Sequence, residues 1–342
     1  MTEFSLIELG KRLGQLVLSL FVLLVVTFVI GRVMPTDPVG AIVGELADPA
    51  ALEAMRARLG LDLPLYQQFW IYLTGLLHGD LGNAILTGNP VMQDLRAAFP
   101  ATLELATLAV ILSTLIGVPL GMTAAFFRDT WIDRLARILS LVGHSIPVFW
   151  FGIVGLVIFY ASLSWVGGPG RVDIYLEGLV EPRTGLLLID SLWAGDWEVF
   201  RSAVHHIILP AAILAYSAMA YITRMTRSFT LEQLNQDYVV AARAKGASNW
   251  RILAGHILPN IAVQLVTILA ISYGGLLEGA VVTEIVFSWP GIGQYMTNAL
   301  MIGDMNAILA TTLIIGAIFM MLNFLSDLAY LVLDPRTREV TS

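Results

Sequence analysis

The sequence predicts an all-α membrane protein with several transmembrane helices. Of its 342 residues, 57% are hydrophobic and only 13% are charged, and the mean hydropathy is +0.78. Soluble domains are roughly half apolar and about a quarter charged. The apolar residues also occur in continuous runs, and a run of roughly 20 of them can cross the hydrocarbon core as a helix. An ordinary soluble globular protein is therefore excluded.

Six stretches are long and apolar enough to be transmembrane helices. They are Leu13–Gly31, Thr102–Phe126, Ile138–Leu163, His206–Ile222, Ile257–Ile285 and Ile308–Leu333. The first run follows Lys11 and Arg12, as the core of a signal peptide would. Its apolar core is longer than the usual core of about 7 to 15 residues and no small-residue cleavage site follows, so we expect it to remain as a membrane helix.

The charge distribution predicts the orientation of these helices. Most basic residues fall in the loops that share one side with the N terminus, although the loops on the other side are longer in total. By the positive-inside rule, both termini are predicted to be cytoplasmic. The net charge of -7 argues against nucleic-acid binding. The absence of cysteine excludes disulfides, thiolate metal sites and cysteine nucleophiles.

We expect one transmembrane domain over residues 1–342, with extracytoplasmic insertions at 32–100 and 164–205 and a cytoplasmic loop at 223–256. Both insertions are too long for simple turns. Ala50–Leu59 and Leu65–Leu77 have helical apolar spacing broken at Pro64, and Gly167–Gly170 is a turn cluster. We therefore expect structure in each insertion.

The cytoplasmic loop has the pattern of two short helices joined by a tight turn. Thr230–Gln233 fits a capping box at a helix start, and a helix through Tyr238–Lys245 follows. Gly246 suits the left-handed residue that ends a helix, and Ser248 can cap the next helix, Trp250–His256. The spacing leaves two interpretations open: a loop lying against lipid head groups or a helix that docks on a partner.

The residues around Gly246 resemble a family signature. Ala241-Ala-Arg-Ala-Lys-Gly246, followed twelve residues later by Leu258-Pro259, is similar to the EAA motif of ABC importer permeases, with Val240 in place of the frequent glutamate. The longer Asp237–Gly246 resembles the dipeptide and oligopeptide permease family, which includes nickel and glutathione importers. Other segments that resemble this family occur along almost the whole chain. They are Gly60–Gln68, Gly79–Gly82, Ala101–Leu105, Ser145–Trp150, Glu284–Gly291 and Asp334–Arg336.

Two segments depart from the family pattern. His256–Asn260 reads His-Ile-Leu-Pro-Asn where His-Ala-Leu-Arg-Asn is frequent, and Asp304–Asn306 stands where Asp-Tyr-Pro is common. The second departure leaves open which family member, and therefore which substrate, is nearest.

The resemblance implies a type I ABC importer permease that moves peptides across the bacterial inner membrane by alternating access. Its implied partners are a second, similar permease, two cytoplasmic ATPases and a periplasmic or lipid-anchored solute-binding protein. Nickel or glutathione is the alternative cargo. The residues implied to couple the permease to the ATPases are Tyr238, Ala241, Ala242, Ala244, Lys245 and Gly246.

We expect no cofactor, metal or catalytic residue on this chain, with ATP and Mg²⁺ held by the partner ATPases. A phosphate-binding P-loop requires Gly-x4-Gly-Lys-Ser/Thr. The Gly10-Lys11 pair precedes Arg12, and Ser5 stands where the first glycine belongs. The adjacent His205 and His206 would point in different directions from a helix and make no chelating pair.

Four residues are candidates for the translocation path: Glu278, Glu104, Glu284 and Pro147. Acids inside a membrane are costly and are functional candidates by default. Glu104 would lie in the first turn of the second span, where a carboxylate also favours the helix dipole, and Glu284 at the outer, solvated end of the fifth. Pro147 interrupts the third span, and we expect a kink there. Asp327 lies one turn after Asn323 and is typical of an interhelical hydrogen bond.

Trp289-Pro-Gly291 leaves two interpretations open, a re-entrant gate or an interfacial aromatic anchor.

Two other classes of membrane protein are alternatives to the importer. An intramembrane hydrolase would need His-Glu-x-x-His, paired aspartates or a Ser/His pair at membrane depth, and the sequence has no such zinc motif. An ATP-independent carrier or channel would work without ATPase partners.

Overall fold

The computed structural model describes residues 3–33, 48–58 and 62–333, and these ranges are predominantly helical. Within them the β-structure is an isolated bridge between Asn83 and Pro90. The predicted all-α class is confirmed. Asp334–Arg336 and the start of Gly60–Gln68 lie outside the described residues.

Thirteen α-helices are present in the described ranges. They are α1 Glu3–Val33, α2 Pro49–Arg58, α3 Leu65–Leu77, α4 Val91–Phe126, α5 Trp131–Ser145, α6 Val148–Gly155, α7 Leu187–Ala194, α8 Trp197–Leu234, α9 Asp237–Ala244, α10 Asn249–Arg251, α11 Leu258–Val286, α12 Ile292–Ile302 and α13 Met305–Leu333. Two π-helical segments, Leu156–Ser162 and Ile252–Ile257, continue α6 and α10. The helices predicted on either side of Pro64 are confirmed as α2 and α3.

In the part of the chain that the structure describes, five helical segments are long and apolar enough to cross a membrane: Gly10–Gly31, Val91–Phe126, Trp197–Leu234, Asn249–Leu277 and Met305–Leu325. A sixth is reached if α5 and α6 form one span. The helices extend beyond the predicted spans at three places. The helix α4 begins within the predicted insertion 32–100, and α8 begins within 164–205 and extends into 223–256.

The third predicted span, Ile138–Leu163, is not one continuous helix. The helices α5 and α6 meet at 95° around Ile146 and Pro147. Ile146 has extended backbone angles (φ -92°, ψ 129°), which is the conformation that a following proline favours. Pro147 therefore starts a new helix, whereas we had expected a kink within one helix.

The predicted helix start at Thr230 is also wrong. Thr230 lies inside α8 and is fully buried, and its hydroxyl oxygen has no hydrogen-bond partner. The capping-box pattern requires the threonine backbone to be extended. Burial of Thr226, Thr230 and the neighbouring apolar side chains along one face of α8 favours continuation of the helix instead.

The chain divides into two compact units. The first comprises residues 1–101 and 290–320, and its core contains Val91, Leu95, Ile292 and Ile308. Asp304 is buried in this unit, where its carboxylate accepts hydrogen bonds from the backbone N–H groups of Ile85 (2.5 Å) and Ala307 (3.1 Å). The carboxylate therefore caps α13 and fixes the loop that precedes α4.

The second unit comprises residues 102–289 and 321–342 and is organised around α8. The helices α5, α7 and α11 have their most extensive contacts with α8. Its core at the end near α9 contains Met122, Ile222, Val239, Ile252 and Ile261. This core joins α4, α8, α9 and α11.

Gly121 allows α4 and α8 to approach closely. A Cβ added at Gly121 would lie 2.6 Å from the Thr223 carbonyl oxygen and 2.8 Å from the Thr226 Cβ. A backbone oxygen cannot move aside without moving α8. At Gly275 in α11, by contrast, an added Cβ has no neighbour within 4 Å.

We predict that Gly121→Ala destabilises the protein by roughly 1 to 3 kcal/mol, because overpacking forces backbone shifts. The thermal unfolding midpoint in detergent measures this change. Gly275→Ala is the matched control and should leave the midpoint unchanged or slightly raised. Equal midpoints for the two variants would contradict the close contact at Gly121.

Candidate functional site

Some side chains of the short helix α9 lie in the core and others lie at the surface. Val239 and Ala242 are buried in the core described above, whereas Ala241, Ala244 and Lys245 are exposed. The small size of the exposed alanines leaves the backbone of α9 accessible to a neighbouring surface.

The turn after α9 has the geometry that the sequence predicts. Gly246 has φ +77°, and its N–H donates to the Arg243 carbonyl (2.9 Å), while the Ala247 N–H donates to the Ala242 carbonyl (3.1 Å). These two bonds form a Schellman motif, which satisfies carbonyls at the end of the helix. The Ser248 hydroxyl then accepts from the Arg251 N–H (3.4 Å) and caps α10. The predicted left-handed conformation of Gly246 and the predicted helix cap at Ser248 are confirmed.

The second predicted helix, Trp250–His256, is present in a modified form. It comprises α10 and the π-helical segment Ile252–Ile257, which leads directly into α11. Ile252, Leu253 and Ile257 are buried, so this connection is held by the core. A displacement of the turn would therefore be transmitted to α11.

Tyr238 and Arg243 are both engaged within the chain. Tyr238 is half-buried and its hydroxyl donates to the Gln233 side-chain oxygen (2.8 Å). Burial raises the pKa of Tyr238 above its ordinary value. The Arg243 guanidinium lies 5.8 Å from the ring centre of Phe126. These contacts tie α9 to α8 and α4.

The remaining exposed side chains around the turn form a mixed surface, here called the coupling surface. Val240 is 61% exposed and Trp250 is 72% exposed. The coupling surface consists of Val240, Ala241, Ala244, Lys245 and Trp250. Large exposed apolar side chains around small residues are typical of a protein contact surface.

Glu104 does not lie at a helix start, because α4 begins at Val91. It is buried, one carboxylate oxygen accepts from the Arg171 guanidinium (2.5 Å), and the other accepts from the Leu188 N–H (2.8 Å). Arg171 also donates to the Gly185 carbonyl and lies 5.7 Å from the ring centre of Trp289. Glu104 therefore anchors the segment between α6 and α8, and the expected interaction with the α4 dipole is wrong.

Glu284 is fully buried, so the predicted solvated position is wrong. The Thr102 hydroxyl donates to its carboxylate (2.5 Å). Trp289 is also buried, and its N–H donates to the Glu284 carbonyl (2.8 Å). An interfacial aromatic anchor would face lipid, so burial of Trp289 contradicts that interpretation.

The remaining predicted positions are Glu278, Asp327 and His206. The side chains of Glu278 and Asp327 lie outside the described residues, although both positions belong to helices. His206 is buried and its Nδ1 lies 2.8 Å from the Ser202 carbonyl. Within the described ranges no group of three potential metal ligands is found.

Sequence reasoning missed two residues that hold the segment between α6 and α8. Arg171 pairs with a carboxylate 67 positions away, and no local pattern indicates such a pair. Asp190 is buried and accepts hydrogen bonds from the Thr184 N–H (3.0 Å), the Thr184 hydroxyl (2.8 Å) and the Gly185 N–H (2.9 Å). A Thr-Gly turn six residues before an aspartate could have indicated the second site.

Comparison with known proteins decides the family. Residues 117–339 match the model of the binding-protein-dependent transport system inner membrane component, and residues 6–106 match the model of the N-terminal part of such components. The chain belongs to this permease family. It is therefore a multi-pass inner-membrane protein.

The permease is similar over nearly its whole length to three curated relatives. It is 42% identical to the probable D,D-dipeptide transport system permease protein DdpB of Escherichia coli K12, with 98% of each chain covered. It is 39% identical to the di/tripeptide permease DppB of Pseudomonas aeruginosa, with coverage of 97% and 98%. It is 38% identical to the dipeptide permease DppB of E. coli K12, with coverage of 96% and 98%.

A solved structure shares the fold. An inward-facing form of the MetNI methionine ABC transporter aligns with a TM-score of 0.50 at 16% identity, covering 68% of this permease and 93% of that chain. At this identity the likeness concerns the fold alone.

We predict that Glu104→Ala destabilises the permease by roughly 3 to 5 kcal/mol, because it leaves the mostly buried Arg171 without its carboxylate. The matched control is Glu198→Ala, which removes an exposed carboxylate from the first turn of α8. Thermal unfolding in detergent distinguishes the two variants. A Glu104→Ala midpoint no lower than that of Glu198→Ala would contradict the anchoring role.

A second prediction concerns the stability of the segment around Asp190 at low pH. Desolvation alone would raise the pKa of Asp190, but hydrogen bonds from Thr184, Gly185 and Arg183 outweigh it and lower the pKa below the ordinary value of 3.8. The resulting stabilisation is present above pH 3.8 and is lost as the pH falls through the lowered pKa.

The measurement is amide hydrogen exchange of residues 184–196 between pH 5 and pH 3, corrected for the intrinsic pH dependence of exchange. Protection should decrease in the wild-type protein as the pH falls. In Asp190→Asn protection should be low throughout and depend little on pH. An unchanged wild-type profile would contradict the assignment.

Proposed function

We propose that this chain is one of two permease subunits of an ATP-driven importer whose cargo is a short peptide. The permease family accounts for the membrane-spanning role. The cargo class is supported by the three relatives, whose names assign them to D,D-dipeptide, di/tripeptide and dipeptide transport. Nickel or glutathione carried by the same architecture is the alternative cargo.

The proposed assembly contains a second, similar permease, two cytoplasmic ATPases and an external solute-binding protein. ATP and Mg²⁺ belong to the ATPases, since the sequence has no P-loop. Both termini of the permease are proposed to be cytoplasmic, because this orientation places the basic loops inside. The coupling surface then faces the ATPases.

The observation that carries the proposal is the closed turn at Gly246. Its Schellman bonds close the end of α9, the Ser248 hydroxyl caps the start of α10, and buried Ile252, Leu253 and Ile257 connect α10 to α11. A force applied to Val240, Ala241 and Lys245 by a moving ATPase would therefore tilt α11 as a body. Rigid-body tilting of packed helices is a general route to alternating access.

The translocation path itself remains a proposal. Glu278 lies in α11, the helix that the turn would move, and Pro147 lies at the junction where α5 and α6 change direction. A junction of this kind can line a cavity only if its backbone groups are satisfied. The carboxylates of Glu104 and Glu284 are already engaged by Arg171 and Thr102, and this favours an anchoring role for both.

We predict that Gly246→Val uncouples transport and that Gly246→Asn largely preserves it. A β-branched residue in the left-handed conformation costs roughly 1 to 2 kcal/mol, which lowers the equilibrium ratio of closed to open turn about 5- to 30-fold. Asparagine tolerates this conformation. An added Cβ meets no atom of this chain within 4 Å, so within the permease the two variants differ in the backbone conformation that they favour.

The measurement is peptide-stimulated ATP hydrolysis and dipeptide uptake by the complete transporter in proteoliposomes. Gly246→Val should lose both activities, while its thermal midpoint stays close to that of Gly246→Asn. Nickel and glutathione serve as competing cargo. Full dipeptide uptake by Gly246→Val, or by the permease pair without ATPases, would instead support an ATP-independent carrier.

A further inference from the structure

We propose that a cleft between α5 and α8 binds the phosphate head group of an anionic phospholipid. The cleft has a volume of about 230 Å³. It is lined by Ala136, Arg137, Ser140, Leu141, Ala220, Tyr221, Thr223, Arg224 and Arg227. Three arginines therefore line one cavity, and none of them belongs to the coupling surface.

The positive charge of this cleft is only partly neutralised. Arg227 is held by Asp133 through two hydrogen bonds, Nε to Oδ1 (2.7 Å) and Nη2 to Oδ2 (3.0 Å). Arg137 lies 3.6 Å from the same carboxylate. The single negative charge of Asp133 is thus shared by two arginines, and its main partner is Arg227.

Arg224 supplies an additional charge without an acidic partner. Among the described residues, no carboxylate lies within ion-pair distance of Arg224. Its guanidinium lies 5.8 Å from the ring centre of Tyr221, which orients it at the cleft. An arrangement of Arg224 and Arg137 across one cavity is suited to phosphate oxygens, which guanidinium groups bind through paired N–H donors.

The position of the cleft along the helices matches the level of lipid head groups. Arg224 and Arg227 follow directly after the apolar stretch of α8 that ends at Ile222. The helix α5 packs on α8 through Gly143, where an added Cβ would lie 3.2 Å from the side chains of Ala220 and Tyr216. The arginines of the cleft therefore lie at a boundary between apolar and polar sequence.

The neighbouring surface favours a lipid over a free phosphate ion. Leu141 and the alanines Ala136 and Ala220 form part of the cleft wall. On the outer side of α5, Trp131 is 71% exposed and Ile138 is 57% exposed. An amphipathic helix with exposed apolar side chains and basic residues is typical of contact with the membrane interface. Acyl chains could pack on these side chains while the phosphate contacts the arginines.

The test uses native mass spectrometry of the complete transporter in detergent, titrated with phosphatidylglycerol, phosphatidylcholine or inorganic phosphate. Arg137→Gln/Arg224→Gln removes the two charges that Asp133 neutralises least. Arg227 is kept, because its loss would leave Asp133 buried without its main partner. The matched control is Arg128→Gln/Arg134→Gln, which removes two exposed positive charges near the start of α5 that do not line the cleft.

We expect phosphatidylglycerol to bind the wild-type transporter more tightly than phosphatidylcholine does. Each cleft arginine should contribute about fivefold to affinity, so the cleft variant should bind phosphatidylglycerol about 25-fold more weakly. The control variant should change affinity by about twofold or less. Equal losses in the two variants would show a general surface-charge effect and overturn the proposal.

Three further outcomes would overturn it. Inorganic phosphate that displaces phosphatidylglycerol, with the same dependence on Arg137 and Arg224, would assign the cleft to a soluble anion. An equal effect of the cleft variant on phosphatidylcholine binding would exclude head-group selectivity. Loss of a partner subunit from the cleft variant, but not from the control, would assign the arginines to a protein contact.

A measurement on the wild-type transporter covers the case in which the cleft variant fails to assemble. A photoactivatable phosphatidylglycerol with its reactive group in the head region should label peptides from α5 and from the 216–228 segment of α8. Labelling confined to other helices would overturn the proposal.

Discussion

The packing of α8 is the constraint on which the second unit of this permease depends. This helix begins at Trp197 and continues to Leu234, immediately before α9. The helices α5, α7 and α11 pack on it, and at Gly121 its backbone lies too close to α4 for any added side-chain atom. Each of these helices is therefore positioned by its contact with α8.

Buried acids in this protein serve assembly in the places where their contacts are known. Glu104 holds Arg171 and the Leu188 N–H, Glu284 accepts from Thr102, and Asp133 holds Arg227 with two bonds. Each pairing offsets part of the cost of burying a charge away from water by supplying a hydrogen-bond donor. A carboxylate inside a membrane-spanning sequence is therefore a weaker indicator of a transport site than its cost alone suggests.

Local patterns in the sequence predicted the parts of the structure that depend on neighbouring residues. The turn at Gly246 and the cap at Ser248 involve residues within five positions of each other, so the local sequence is enough to predict both. The capping box at Thr230 failed because burial along α8 outweighed a local signal. Arg171 could not be predicted, because its partner lies on a distant helix.

The sequence by itself determined that the chain spans the membrane several times and carries a glycine-closed turn in a basic loop. Both properties follow from hydrophobicity and from backbone preferences, which act over short stretches of chain. Only the tertiary structure decided that α5 and α6 meet at 95°, that Glu104 anchors the segment between α6 and α8, and that three arginines surround one cleft. These properties depend on which distant helices come into contact, and the fold alone fixes those contacts.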